Sequence, residues 1–278
     1  MRPVLFFDLE IYRNYFLAAF RELETGKTRL FEFPYTEGER AEIREMMESH
    51  RLVGFNSIHF DMGLLLYSLT DRATLETLKQ ACDAIITHGM KSWTFAAQYG
   101  INPEDERIDH VDLIEVAPLT ASLKAYAARL HAHSIQDLPL APDAVVTPEM
   151  VPVLREYCQN DLVNTELLYT ALLPQLELRE AMSAEYGIDL RSKSDAQIAE
   201  ALIKKLVEDR VRTRTKNPRF TVYRPDDKVR NDFQYQVPVW MDFHTPELQT
   251  LLEKIRGATF TVTDKGGVLM PESIKTGK

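Results

Sequence analysis

Cysteine is nearly absent from this chain: Cys82 and Cys158 are the only two in 278 residues. Their separation suits neither a disulfide framework nor a zinc cluster. Long apolar runs are missing too. No stretch of 18 apolar residues occurs, and the N-terminal one is cut short at Asp8, which excludes a secretory leader or a spanning helix as the reading of that segment. A cytoplasmic setting with no membrane partner is therefore expected. Positive charge is in deficit: 33 Lys and Arg stand against 42 Asp and Glu, a formal net charge of −9. That balance argues against a protein that coats duplex nucleic acid through its phosphates. It leaves room for one that holds a single strand end, because acidic metal ligands themselves add negative charge. What remains is ordinary: 45% hydrophobic and 27% charged residues suffice for one large domain, or a domain with an appendage.

The stretch around which the chain is organised is Pro3-Val4-Leu5-Phe6-Phe7-Asp8-Leu9-Glu10. Its apolar run, bounded by Pro3, reads as a strand buried on both faces, the usual state of a central strand in an α/β sheet. Side chains alternate along a strand, so Asp8 and Glu10 leave one face about 7 Å apart while Leu9 leaves the other. Two carboxylates at the end of an apolar strand repel each other and lose hydration, which calls for a cation.

Further along, residues 14–20 and 28–33 read as antiparallel strands joined by the turn Glu24-Thr25-Gly26-Lys27. A polar helix over 38–49 precedes a short strand at 51–55. Asn56-Ser57-Ile58-His59-Phe60-Asp61 then leads into a helical run over 62–69. A helix-rich section reaches about residue 98, followed by a strand at 108–114 and a short helix with Ser122 as N-cap. A proline-containing loop precedes a long helix over about 148–172, which Pro174 should bend or stop. Past residue 190 come a capped amphipathic helix, a basic run, and short strands and turns.

Four acids can meet in this layout: Asp8 and Glu10 on the first strand, Asp61 where the fourth strand hands over to a helix, and Asp161 in the long helix. Tyr157 lies four residues before Asp161 and so shares its helix face. On these motifs the chain resembles the DEDD superfamily of 3′→5′ exonucleases. Phe7-Asp8-Leu9-Glu10 is similar to the first exonuclease motif, Asn56 through Asp61 to the second, and Tyr157-x-x-x-Asp161 to the third. Tyr157, with Glu156 where the histidine type would carry its His, marks the tyrosine subtype. The resemblance covers about residues 1–180, within a first domain over 1–190. It implies an α/β, ribonuclease H-like mixed sheet flanked by helices, with 191–278 as a smaller mixed α/β extension that contacts DNA or links to a polymerase.

The resemblance further implies two divalent ions, Mg²⁺ or Mn²⁺, with Asp8 bridging both and Glu10, Asp61 and Asp161 completing the ligand set. Hard cations take carboxylate oxygen and water, and a pair of them suits phosphodiester hydrolysis. Tyr157, with an unperturbed pKa of about 10, would orient a water rather than act as base. Asn56 can cap a helix, contact a single strand, or both. Phe60 is a core residue or a contact to a terminal base. Lys124 resembles a lysine placed near the scissile phosphate, against the plainer reading of an exposed helix lysine. Asp112 ends a strand much as Asp8 does but lies outside the motifs and is left out of the set.

The run over 210–230 carries eight Lys or Arg, among them Arg212 and Arg214, against two Asp, with Phe220 and Tyr223 interleaved. Such a run is either solvated surface or a track for single-stranded DNA or a primer 3′ terminus. The last third resembles the segment after the exonuclease domain in phage replicative DNA polymerases, without a second set of catalytic acids. The expected activity is proofreading-type removal of deoxynucleoside monophosphates from single-stranded or frayed 3′ ends, alone or with a fused or separate polymerase, in the host cytoplasm if phage-encoded. The alternatives are an RNase D-type exoribonuclease and an inactive exonuclease-like module that binds DNA.

Overall fold

The alternation along the first strand divides the core in two. In a computed structural model of the chain, which describes residues 2–102, 107–212, 232–263, 268–272 and 274, β1 (Val4–Tyr12) is nine residues long. Leu5, Phe7 and Leu9 enter one apolar cluster, while Phe6 and Tyr12 enter the other. Asp8 and Glu10 have the parity of Phe6 and Tyr12, so two carboxylates occupy the middle of an otherwise apolar strand face.

β2 (Tyr15–Glu22) and β3 (Thr28–Glu32) extend the sheet antiparallel on one side of β1. On the other side β4 (Arg51–Gly54) and β5 (His110–Asp112) run parallel to it. The resulting five-stranded mixed sheet has the order β3-β2-β1-β4-β5, with β1 at its centre. Parallel neighbours need crossovers, and helices supply them. α1 (Glu37–Ser49) joins β3 to β4 and opens with a capping box made by Thr36 and Glu39. α2 (Asp61–Ser68), α3 (Leu75–His88) and α4 (Ser92–Tyr99) lie between β4 and β5. Ile43 of α1, Leu64 of α2 and Leu78 of α3 are fully buried with Phe7 and Leu9 on that side of the sheet.

The opposite face is covered by α5 (Leu123–Arg129) and α6 (Val151–Ala171). α6 packs against β1 and β2 as well as α5, burying Leu154, Cys158, Leu162 and Leu168 with Phe6, Leu17 and Val53. Ser122 caps α5, its hydroxyl accepting from the Ala125 N–H at 3.3 Å. α6 stops at Ala171 and a new helix, α7 (Leu173–Tyr186), begins with proline in its first turn. Pro174 is tolerated there because the first N–H groups of a helix lack intrahelical partners. α8 (Asp195–Arg212) follows. Arg51 on β4 ties this side together, pairing with Asp109 at 3.2 Å and with Glu180 of α7 at 2.7 Å.

By its internal contacts the chain separates into two compact units, Met1–Asp209 and Arg210–Lys278. The second contains β6 (Asp232–Gln234), α9 (Pro246–Gly257), β7 (Thr259–Val262) and β8 (Val268–Leu269). Its strands form an antiparallel sheet of order β6-β7-β8, with Phe233 stacked on Phe260 at 5.5 Å. Among the described residues, no helix is long and apolar enough to cross a membrane.

Candidate metal centre

Three elements deliver the acids to one place. β1 supplies Asp8 and Glu10, and its central position in the sheet fixes their backbone on both sides. The β4–α2 connection supplies Asp61, the first residue of α2, which is 5% exposed. α6 supplies Tyr157, Cys158 and Asp161, and its packing on β1 turns that face toward the two strand carboxylates.

The side chains perturb one another strongly. Burial first, and then the Asp161 charge, push Asp8 up to about 7, although the Cys158 thiol and the Leu9 N–H oppose the shift. Glu10 is raised well above the usual carboxylate range by burial and then by Asp8, Asp161 and Asp61. Asp61 is raised by burial, then by Asp8 and Asp112. Burial also raises Asp161, against the pull of Tyr157 and Lys124. These carboxyls therefore sit where water is largely excluded and where each one's charge works against its neighbours'.

Ligand atoms of Asp8, Glu10 and Cys158 all lie within 4.8 Å of one another. The Cys158 Sγ donates to Asp8 Oδ2 at 3.5 Å. Burial, then Asp8 and Glu10, raise the thiol well above its ordinary value, so it is a protonated donor here rather than a thiolate. Among the described residues, Asp161 Oδ1 and the Tyr12 hydroxyl are buried without a hydrogen-bond partner. An unpaired carboxylate oxygen in a desolvated nest of acids is costly and favours a cation beside it. An oxygen-rich donor set of this kind fits a hard divalent cation.

Tyr157 is 6% exposed, and its phenol is raised far above 10 by burial and then by Asp161, Glu10 and Asp8. It stays protonated, with its hydroxyl interacting with the Asp161 carboxylate. Lys124 on α5 is not the freely exposed lysine of the plainer reading. Its Nζ lies 5.5 Å from the centre of the Tyr157 ring, and its charge favours the ionised forms of Glu10 and Asp161.

Asn56 and Phe60 lie on the turn that leads to Asp61. Asn56 holds a positive φ of 61°, and Phe60 is the half-buried residue preceding α2. Together with His59, Ile85, Met90 and Lys91 they line an open cavity of about 290 Å³. Arg212 is the last residue of α8, and Arg214 lies outside the described residues, as does most of the basic run.

Sequence reasoning missed Cys158, dismissing both cysteines for want of ligand spacing. The available signal was local: Cys158 precedes Asp161 by three residues and so shares its helix face.

The fold and site define an α/β protein with a mixed five-stranded sheet and a buried acidic cluster able to bind a metal ion. Compared with known proteins, the chain matches no family model, no curated protein and no solved structure.

Proposed function

We propose that this protein is a metal-dependent 3′→5′ exonuclease of the DEDD tyrosine type, built on a ribonuclease H-like fold and acting on single-stranded or frayed DNA ends. The observation that carries the reading is the convergence of Asp8, Glu10, Asp61 and Asp161 from three separate elements, each desolvated and each within electrostatic reach of another member of the set. An inert binding module gains nothing from four mutually repelling buried acids, which cost stability unless a cation neutralises them.

Asp8, Glu10, Asp61 and Asp161 would hold two Mg²⁺ or Mn²⁺ ions. When bound, these supply acidification of a water and neutralisation of phosphoryl charge. The Tyr157 hydroxyl, kept protonated by its surroundings and set beside Asp161, would orient the attacking water. Lys124, beside the same ring, adds a positive charge at the mouth of an otherwise acidic site, where a phosphodiester has to approach. The cavity beside Asn56 and Phe60 has apolar side chains and one cation, Lys91, a combination suited to a base and its phosphate.

The test uses 5′-labelled single-stranded DNA, 3′-recessed duplex and RNA with Mg²⁺, Mn²⁺ or EDTA. Stepwise shortening of DNA that EDTA abolishes is the expected result. Preference for RNA would move the enzyme to the RNase D type, and binding without shortening under any metal would overturn the reading.

Tyr157→Phe is expected to lower kcat about 10- to 100-fold, with a smaller change in KM, because it removes one oriented donor and leaves the acids in place. Single-turnover kinetics on a labelled single strand read the split. An unchanged kcat would remove Tyr157 from the mechanism.

A further inference from the structure

Asp61 is carried by a turn rather than by the sheet, so something must hold that turn. β4 ends at Gly54, and a Cβ there would come within 2.6 Å of the Ser57 side chain and 3.1 Å of the Phe7 ring. The chain therefore folds back on itself immediately after the strand. Asn56 makes the reversal in the left-handed region at φ 61°, tolerable for asparagine and costly for most side chains.

The backbone N–H groups of this reversal point away from β4, toward the end of β5. Asp112, 1% exposed, meets them there. Its Oδ1 accepts from the Asn56 N–H at 2.8 Å and from the Ile114 N–H at 3.0 Å, while Oδ2 accepts from the Ile58 N–H at 2.9 Å.

A second tie lies one residue away. The Ser57 hydroxyl bonds His110 Nε2 at 2.9 Å. Burial, then the Arg191 charge, hold that imidazole down to about 3, so it is neutral and can accept. From the anchored turn the chain runs directly into α2. The Phe60 N–H donates to Asn56 O at 3.2 Å and the Met62 N–H to Ser57 O at 2.8 Å. Those two bonds bracket Asp61. The main chain that carries Asp61 is thus set by carbonyls of two residues that Asp112 and His110 hold in place, and from there its carboxylate meets the Leu9 N–H of β1.

We infer that Asp112 is the positioning residue of the metal centre: it clamps the turn over residues 56–58 and thereby places the Asp61 carboxylate against Asp8. Three N–H donors on one buried carboxylate form a rigid anchor, and only a carboxylate offers acceptors on both oxygens. Asparagine has the same shape but would turn an NH₂ group toward a backbone donor. The inference rests on the metal-site reading of Asp61, and Asp112 touches neither substrate nor metal. Its charge also opposes ionisation of Asp61, so losing that charge in Asp112→Asn favours metal binding, and a net loss of affinity reads the backbone clamp.

The experiment compares wild type, Asp112→Asn, Asp61→Asn and the double variant, by Mn²⁺ titration followed by paramagnetic resonance and by kcat and KM on a labelled single strand. Asp112→Asn is expected to weaken Mn²⁺ binding about 10- to 100-fold and to lower kcat with KM for the oligonucleotide unchanged. In the Asp61→Asn background it should add no further loss, because its effect passes through Asp61.

A folded Asp112→Asn protein with wild-type Mn²⁺ affinity, or losses that multiply in the double variant, would overturn the clamp. Should Asp112→Asn not fold, Ser57→Ala reads the same turn. It removes only the hydroxyl bonded to His110 and is expected to weaken Mn²⁺ severalfold, and wild-type affinity in that variant would overturn the clamp as well. Wild-type protein that binds Mn²⁺ and loses that affinity in Asp112→Asn, but shortens no oligonucleotide, would end the nuclease reading and leave the clamp standing. Wild type that neither binds Mn²⁺ nor cleaves would end both.

Discussion

Asp8→Asn is expected to reduce metal-dependent shortening of a single strand roughly 10³-fold or more, and at the same time to raise the melting temperature of the metal-free protein. The two effects share one cause. Asp8 is held at about 7 by burial and by Asp161, so at neutral pH the wild-type fold carries a partly ionised carboxylate that it disfavours. Asparagine keeps the shape, can still accept from the Cys158 thiol, and removes the charge that opposes Glu10, Asp61 and Cys158. Activity assays and calorimetry in EDTA on the same preparation check both halves. Full activity in Asp8→Asn would end the assignment. Lost activity with a lowered melting temperature would mean that Asp8 serves packing rather than charge.

The second large effect is a pH dependence that reverses when metal is added. A carboxyl whose folded pKa lies above its unfolded value is protonated in the fold over a range where the unfolded chain ionises it. Its stabilising contribution is complete below the unfolded value, 3.8 for Asp8, and is lost as pH rises through the folded value of about 7. Glu10, Asp61 and Asp161 shift in the same direction.

In EDTA the melting temperature of wild type, relative to that of Asp8→Asn at each pH, should therefore fall between pH 4 and pH 7, by roughly 5–10 °C. The variant as reference cancels groups of opposite sign such as Glu180, which its Arg51 partner holds below the usual range. With millimolar Mn²⁺ present the difference should reverse at pH 7.5, because a cation binds the ionised acids of the fold and not the scattered acids of the unfolded chain. Wild type and variant that respond alike to Mn²⁺ would exclude Asp8 from the site.

How far the sequence could be read depended on whether the determinant was local. β1 was legible because its apolar run and its parity carry their own explanation, and the structure keeps Leu5, Phe7 and Leu9 on one side with Phe6 and Tyr12 on the other. The β2 and β3 strands, the Ser122 cap and the long helix α6 were legible for the same reason: turn residues, a cap and a helical period are short-range signals. The four-residue spacing from Tyr157 to Asp161 put phenol and carboxylate on one helix face without any knowledge of the fold. That Asp61 and Asp161 would reach Asp8 was not legible from spacing: the layout of strand ends and helices allowed it, and the resemblance supplied the rest.

Three features were out of reach. Lys124 sits by the Tyr157 ring because α5 packs on α6, a tertiary fact. The contact of Cys158 with Asp8 spans 150 residues of chain, although its place on the helix face of Asp161 could be read locally. Asp112 looked like one more strand-end acid because its three partners are backbone N–H groups, which every sequence has everywhere.

The order in which the pieces occur along the chain has a consequence for biogenesis. Asp8, Glu10 and Asp61 all leave the ribosome within the first 61 residues, on the sheet's central strand and the opening of α2, whereas Asp161 follows a hundred residues later on α6. A nascent chain halted before α6 would expose three of the four acids and the apolar face of β1 and β2 that α6 covers, with no Lys124–Tyr157 pair beside them. The fourth acid and the helix that covers that face arrive together on α6, so a half-synthesised copy holds an incomplete ligand set.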